Sequence, residues 1–268
     1  MTIRCYVTES IVRVVSHMID SGHQNYSVEA AMSKIYATES LWYTVNEALQ
    51  IAGGNGFMKD YEYERYLRDS RINMIFEGTN EILRLYIGLT GLKDVGEYLK
   101  DVFKKPGEIF NDPIKGFGLL SSYVSSRFTQ KTMIGLDELK DIPSELKDFA
   151  EIIERVIASL ARVSEKLVRT HKKDVINKQL EIKRVAEIAT YTFAALCLMT
   201  RVKSKIKSVD GAEKETLINI VKCFTLDYKR TASQLIRRVE KGNEDNEMNQ
   251  ISNFILAEGH FPWDSMKE

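Results

Sequence analysis

The sequence predicts an all-α protein built as two successive helical parts. Apolar residues recur at a spacing of three to four over most of the chain, and no segment alternates apolar and polar residues as a half-buried strand does. Only 4 prolines interrupt the 268 residues. A chain of this length can bury a sizeable core and divides into one or two domains. The glycine- and proline-containing stretch from Pro106 to Pro113 is a boundary by composition. The expected layout is therefore 1–105 as a first helical bundle, 106–143 as a linker and 144–268 as a second α-helical domain.

The first helix is predicted over Cys5–Asp20, with Val7, Ile11, Val14, Val15 and Met18 on one face. It begins almost at Met1 with no visible cap, as a helix entered partway would. A turn over 21–26 leads to Ser27, an expected N-cap with Glu29 in the first turn of a long helix. Val28, Ala31, Ile35, Trp42, Val45, Leu49 and Ala52 form its apolar stripe, suited to packing on other helices. Gly53, Gly54 and Gly56 end it. One glycine suffices for a helix C-cap; three indicate a close approach by another backbone or a phosphate-bearing ligand. A charged, tyrosine-rich loop from Lys59 leads into a short helix near Asp69, where Arg68, Asp69 and Arg71 are expected to form an ion-pair network. Two helices are then expected, Asn80 to about Leu89 and Asp94–Lys104, separated where Gly88 and Gly91 fall.

Residues 117–143 are the least regular. They hold Leu119, Leu120, Tyr123, Val124 and Phe128 beside Arg127 and Lys131, a weakly amphipathic set that packs on its own protein or touches a membrane surface. Beyond Pro143, Ser144 can cap a helix bearing Phe149, Ile152, Val156, Leu160, Val163 and Leu167. Further helices are predicted over 175–207, 213–241 and 247–257, broken at Asp210-Gly211 and Gly242. Short connections between long helices predict an antiparallel bundle.

Composition excludes several classes of function. Lys plus Arg equals Asp plus Glu at 38 each, which gives no basis for nucleic-acid binding. Cys5, Cys197 and Cys223 are too widely spaced for a metal motif or a disulfide framework, and a reducing compartment follows. Cys197 and Cys223 fall on apolar faces and read as inert core thiols. The four histidines show no ligand spacing, so no metal is expected. The first residues show no cleavable signal pattern.

One stretch carries chemistry. In Arg68-Asp-Ser-Arg-Ile-Asn-Met-Ile-Phe-Glu-Gly-Thr-Asn-Glu-Ile-Leu-Arg84, an apolar run over 72–76 ends in Glu77, followed by Gly78, Thr79 and a helix start. A carboxylate walled by apolar groups loses water, which raises its pKa and makes it a candidate general base. Gly78 lets a ligand approach the backbone. Thr79 is a candidate N-cap, and Glu81 suits the positive end of the helix. The same spacing also describes an ordinary capped helix with a surface glutamate.

Three motifs taken together resemble the C-terminal helical domain of acyl-CoA dehydrogenases: Gln50-Ile-Ala-Gly-Gly-Asn-Gly56, Arg68-Asp-Ser-Arg71 and Glu77-Gly-Thr79. The chain beyond them is similar to the very-long-chain branch, which carries an additional C-terminal helical domain. It is also similar to the branch member that assists respiratory complex I assembly. The resemblance implies FAD-dependent α,β-dehydrogenation of long-chain fatty acyl-CoA in mitochondrial β-oxidation, with electron-transfer flavoprotein as acceptor. It implies Glu77 as the catalytic base, and Gly78 and Phe76 beside the acyl substrate. Gln50, Gly53, Gly54, Thr79, Asn80 and Glu81 would contact flavin, the first three across a homodimer interface. It further implies mitochondrial localisation, with contact between residues 106–143 and the inner membrane. The N-terminal and middle β domains of the family have no counterpart among these residues, so the chain is expected to correspond to the C-terminal part of such an enzyme. A non-catalytic helical interaction module, as in complex I assembly, is the alternative reading.

Overall fold

The computed structural model describes residues 1–104 and 142–261. Nine α-helices lie among them: α1 (Thr2–Asp20), α2 (Ser27–Ile51), α3 (Gly54–Phe57), α4 (Tyr63–Arg71), α5 (Asn80–Lys104), α6 (Lys147–His171), α7 (Gln179–Ile206), α8 (Gly211–Glu240) and α9 (Asp245–Glu258). Short 3-10 turns span Ile72–Met74, Ser144–Leu146 and Lys172–Asn177. No strand occurs among the described residues, as the fold class requires. The linker and its expected membrane contact fall at 106–143, of which 106–141 lie outside the described residues.

Helix α7 is the centre of the molecule. It packs against α1, α2, α5, α6 and α8. Its buried residues run round the whole helix, from Ile182, Val185 and Ala186 through Phe193, Leu198 and Val202 to Ile206. A helix apolar on all sides belongs inside a core or a membrane. By length and hydropathy α7 could cross a bilayer, but 78% of its most apolar stretch is buried inside the protein. Small residues, Ala186, Ala189, Ala194 and Ala195, let the neighbouring helices come close.

Each partner contributes its stripe. Helix α1 buries Val7, Ile11, Val15 and Met18. Arg201 of α7 fastens it: the guanidinium lies 3.9 Å over the Tyr6 ring and reaches Glu9 at 2.7 Å. Helix α6 buries Phe149, Ile153, Val156, Leu160, Val163 and Leu167, and α8 buries Leu217, Val221, Phe224 and Tyr228. Phe149 meets Phe224 edge-on, and Tyr228 places its hydroxyl 3.0 Å from that of Thr192. Burial raises the pKa of the Tyr228 phenol. One apolar core thus draws residues from α1, α2 and α5 and from α6, α7 and α8.

Several expectations require correction. Residues 80–104 form one unbroken helix. Gly88 does not end it: a Cβ there would lie 2.5 Å from Ile182 Cγ2 and 2.8 Å from Ile182 O. The glycine is a contact point between α5 and α7, and the absent side chain sets how near the two helices come. The apolar stripe of α2 is buried only over its N-terminal half, at Ala31, Met32, Ile35 and Tyr36; Trp42, Val45, Leu49 and Ala52 are half-buried. Ser27 makes no capping hydrogen bond, and the N-cap position is Tyr26. Ser144 lies within a 3-10 turn, bonding the Glu145 carboxylate. Cys197 is buried, whereas Cys223 is exposed on α8.

Helix α9 stands apart, with no buried residue. It is fastened at its first turn, where the Arg184 guanidinium forms a two-pronged pair with the Asp245 carboxylate. That partner pulls the Asp245 carboxyl below the ordinary aspartate value.

Candidate functional site

The site is built on a two-residue left-handed turn between the Ile72–Met74 turn and α5. Glu77 has φ of 52° and Gly78 of 92°. Glycine enters this region without cost, while a glutamate there is sterically strained. The Gly78 turn is also crowded: a Cβ at that position would sit 2.9 Å from Leu83 Cδ2. Local strain at a non-glycine residue persists only where surrounding contacts over-determine it.

Those contacts come from α2. The Lys34 ammonium donates to the Gly78 carbonyl at 2.8 Å and to Asn80 Oδ1 at 2.7 Å. Asn80 Nδ2 donates to Thr38 Oγ1 at 3.0 Å and Glu39 Oε1 at 3.3 Å. Arg84, one turn further along α5, meets Glu39 at 2.5 Å and Glu187 of α7 at 3.2 Å. Arg84 and Asn80 are buried, at 7% and 1% exposure. Burial lowers the Lys34 pKa against the opposing pull of Glu81 and Glu39. Burial likewise raises that of Glu187 against Arg84 and Lys183. A cavity of about 20 Å³ adjoins Arg84 and Glu187, room for a single water.

Sequence reasoning placed Phe76, Glu77, Gly78, Thr79, Asn80 and Glu81 together, and they are contiguous here. It missed Lys34, Thr38, Glu39, Arg84 and Glu187. A Lys-x-x-x-Thr-Glu run on a helix signals nothing by itself, since its partners are more than forty residues away.

Two expectations about this turn are corrected. Glu77 is exposed, and Ile72, Ile75 and Phe76, the expected apolar wall, are themselves 46–48% exposed. The described residues therefore do not build the dry pocket, and any desolvation of Glu77 needs a further surface. Asn80, expected at a flavin, directs its side chain inward to α2. The Thr79 hydroxyl donates back to the Ile75 carbonyl at 3.1 Å. Glu81 remains exposed.

Gln50, Gly53 and Gly54 form a second exposed group at the far end of α2. The helix rise of about 1.5 Å per residue puts Gln50 roughly 24 Å along α2 from Lys34, which holds the Glu77–Gly78 turn. Gly53 needs its left-handed φ of 57°, while Gly54 would meet nothing within 4 Å if it bore a Cβ. The chain's own backbone makes its close approach at Gly56, where a Cβ would lie 2.3 Å from the Leu49 carbonyl oxygen. Gly54 thus faces open ground beside the exposed Ile51, Phe57 and Met58. The Arg68 ion pairs, at 3.8 Å to Glu64 and 4.0 Å to Asp69, are solvent-exposed and contribute little. Arg71 leaves that set and lies 5.7 Å over the Trp42 ring.

A larger cavity, of about 270 Å³, opens between α2, α5, α6 and α7, lined by Met32, Ile87, Val95, Leu160 and Val185. It contains none of the candidate site residues.

Residues 1–91 match the family described as acyl-CoA dehydrogenase, C-terminal domain, and residues 144–261 match that described as ACAD9/ACADV, C-terminal domain. The very long-chain specific acyl-CoA dehydrogenase, mitochondrial, of Rattus norvegicus is 37% identical over 203 residues, covering 75% of this chain and 30% of the relative. A probable acyl-CoA dehydrogenase of Bacillus subtilis (strain 168) is 56% identical over 68 residues, 25% of this chain and 11% of the relative. An acyl-CoA dehydrogenase from Bacillus anthracis, solved with FAD, shares the fold at a TM-score of 0.66 and 21% identity, over 97% of this chain and 44% of that one. The chain spans about a third of the length of the mammalian relatives it matches.

Proposed function

Because the chain belongs to the acyl-CoA dehydrogenase family through its C-terminal domains, we propose that it supplies the base-bearing part of an FAD-dependent dehydrogenase acting on long-chain fatty acyl-CoA in mitochondrial β-oxidation. The observation that carries this reading is Glu77, an exposed glutamate held in a left-handed turn at the family motif. A relaxed surface glutamate needs neither the strain nor the lysine clamp on its neighbour's carbonyl.

The residues fit a flavin in part. Gln50, Gly53 and Gly54 present open backbone and an exposed carboxamide, and Glu81 presents an exposed carboxylate. Asn80 does not fit as a side-chain contact, because α2 engages it. A bound flavin would supply the hydride acceptor, a role outside side-chain chemistry. Glu77 takes the proton from the carbon next to the thioester. Gly78 is the residue set beside that thioester, and Lys34 holds its carbonyl toward α2. Phe76 offers an apolar wall for the acyl chain.

The separation along α2 of Gln50 from Lys34, which holds the Glu77–Gly78 turn, supports service to two different flavins, hence a homodimer in which Gln50, Gly53 and Gly54 reach the neighbour's cofactor. Electron-transfer flavoprotein is the proposed acceptor. The mitochondrial compartment is carried by the names of the mammalian relatives. A dry site would form once a covering surface lies over Ile72, Ile75 and Phe76.

The test uses the full-length, flavin-loaded protein. Glu77→Gln keeps size and hydrogen bonding but cannot accept the proton. Anaerobic mixing with a long-chain acyl-CoA should show flavin bleaching slowed by about 10²–10⁴-fold, the usual weight of a catalytic base. Bleaching at the wild-type rate would refute the assignment and leave a helical interaction module.

A further inference from the structure

We propose that Lys34 and Glu187 are positioning residues for the base, anchoring the Glu77–Gly78 turn through a polar relay that runs from α2 through α5 to α7. The structural half stands alone; the catalytic half rests on Glu77 being the base.

The relay runs through hydrogen bonds from Lys34 to Arg84 and ends in an ion-pair contact with Glu187. Lys34 grips the turn directly at the Gly78 carbonyl and shares Asn80 with Thr38 and Glu39. Glu39 bonds Arg84, and Arg84 contacts Glu187. Lys183 lies 3.9 Å from the same Glu187 carboxylate, on the exposed side. Arg84 is a buried cation placed between two carboxylates from different helices, so removing either leaves it short of a partner. Asn80 is the first residue of α5 and follows Gly78 by two residues. A shift of that helix end would carry Glu77 with it.

The left-handed backbone explains why such an anchor is needed. A glutamate at φ 52° relaxes toward ordinary backbone unless its neighbours prevent it. Lys34 prevents it by fixing the next carbonyl. Glu187 lies on α7, the core helix beyond residue 142. Through it, the later part of the chain reaches the site carried by the earlier part. Reacting groups displaced by about 1 Å lose roughly 10²-fold in rate, so positioning of this kind matters to catalysis.

The experiment has two arms. Amide hydrogen exchange on the 268-residue chain reads the turn without flavin. Lys34→Met should speed exchange over 76–83 by about tenfold, the weight of a hydrogen bond to a charged group, and Glu187→Ala, which removes an ion-pair contact with Arg84, should speed it by a smaller factor. Lys34→Arg should restore protection, and exchange in α8 around Phe224 should stay unchanged. Should either truncation fail to fold, Lys34→Gln and Glu187→Gln, which remove the charge and keep a polar head, are read against wild type. In the full-length flavin-loaded protein, Lys34→Met and Glu187→Gln should slow bleaching by up to about 10²-fold with KM unchanged. Lys34→Arg should recover much of the rate. Unchanged exchange over 76–83 overturns the proposal. So does altered exchange with normal bleaching, provided Glu77→Gln is inactive. Wild-type bleaching by Glu77→Gln overturns the base assignment together with the catalytic half of this proposal, and that result is distinct from the other two.

Discussion

At the scale of the residue, the conformation of Glu77 is the most informative feature. A side chain with a Cβ costs about 1–2 kcal/mol in the left-handed region, and glycine avoids that cost. Glu77→Gly should therefore be more stable than Glu77→Ala by about 1 kcal/mol in chemical denaturation, although both lack a base. Equal stabilities would show that the turn is not strained. Gly78 is constrained twice, by its φ and by Leu83, so the motif's glycine has a structural reason independent of any ligand. Glu77 has none within the described residues. Its side chain neither caps α5 nor fills the core, and this contrast separates the residue kept for chemistry from the one kept for shape.

At the scale of the element, α5 and α9 show how single contacts set helix placement. Gly88→Ala should push α5 from α7, because the clash is with the Ile182 backbone oxygen as well as a side chain. An overpacked contact of this kind costs about 1–3 kcal/mol. Gly91→Ala, three residues on in the same helix, meets nothing within 4 Å. It should be neutral or stabilising by up to about 1 kcal/mol, from helix propensity. Thermal denaturation of the pair separates helix packing from a glycine-marked helix end, which would tolerate alanine equally at both positions.

Helix α9 depends on Arg184 and Asp245. The Asp245 carboxyl lies below its ordinary value near 3.8 in the folded state, because Arg184 holds the charged form. The unfolded chain then takes up the proton more readily. The contribution of Asp245 is complete above the unfolded value and is lost as pH falls from about 4 through the folded one. Asp245→Asn should destabilise by about 2 kcal/mol at neutral pH, with a difference from wild type that shrinks in acid. Unfolding midpoints at pH 7 and pH 3 check the sign.

At the scale of the whole molecule, the chain carries two family domains on one core. Residues 1–104 expose the apolar faces of α1, α2 and α5 unless α7 covers them. Expressed separately, 1–104 and 142–268 should each be poorly soluble or molten, and co-expressed they should co-purify. Independent, monodisperse folding of 1–104 would show that the shared core is dispensable. The same architecture is what would let α7 reach the Glu77 turn.

Periodicity alone determined that this chain is helical, where most helices lie and which face of each is apolar. Motif order alone pointed to Glu77 and to the glycines after Gln50. These features are local, written within one helical turn or one short segment. Tertiary structure decided what covers each face. It placed α7 at the centre, left the second half of the α2 stripe and Cys223 outside the core, and turned Gly88 from an apparent stop into a helix contact. It also assembled Lys34, Asn80, Glu39, Arg84 and Glu187 around one turn. Hydrogen bonds and clashes between residues distant in the chain leave no periodic trace, because each partner satisfies only its own local helix pattern. The exposure of Glu77 belongs to the same class: an apolar run shows that a carboxylate could be desolvated, and only packing decides whether anything lies over it.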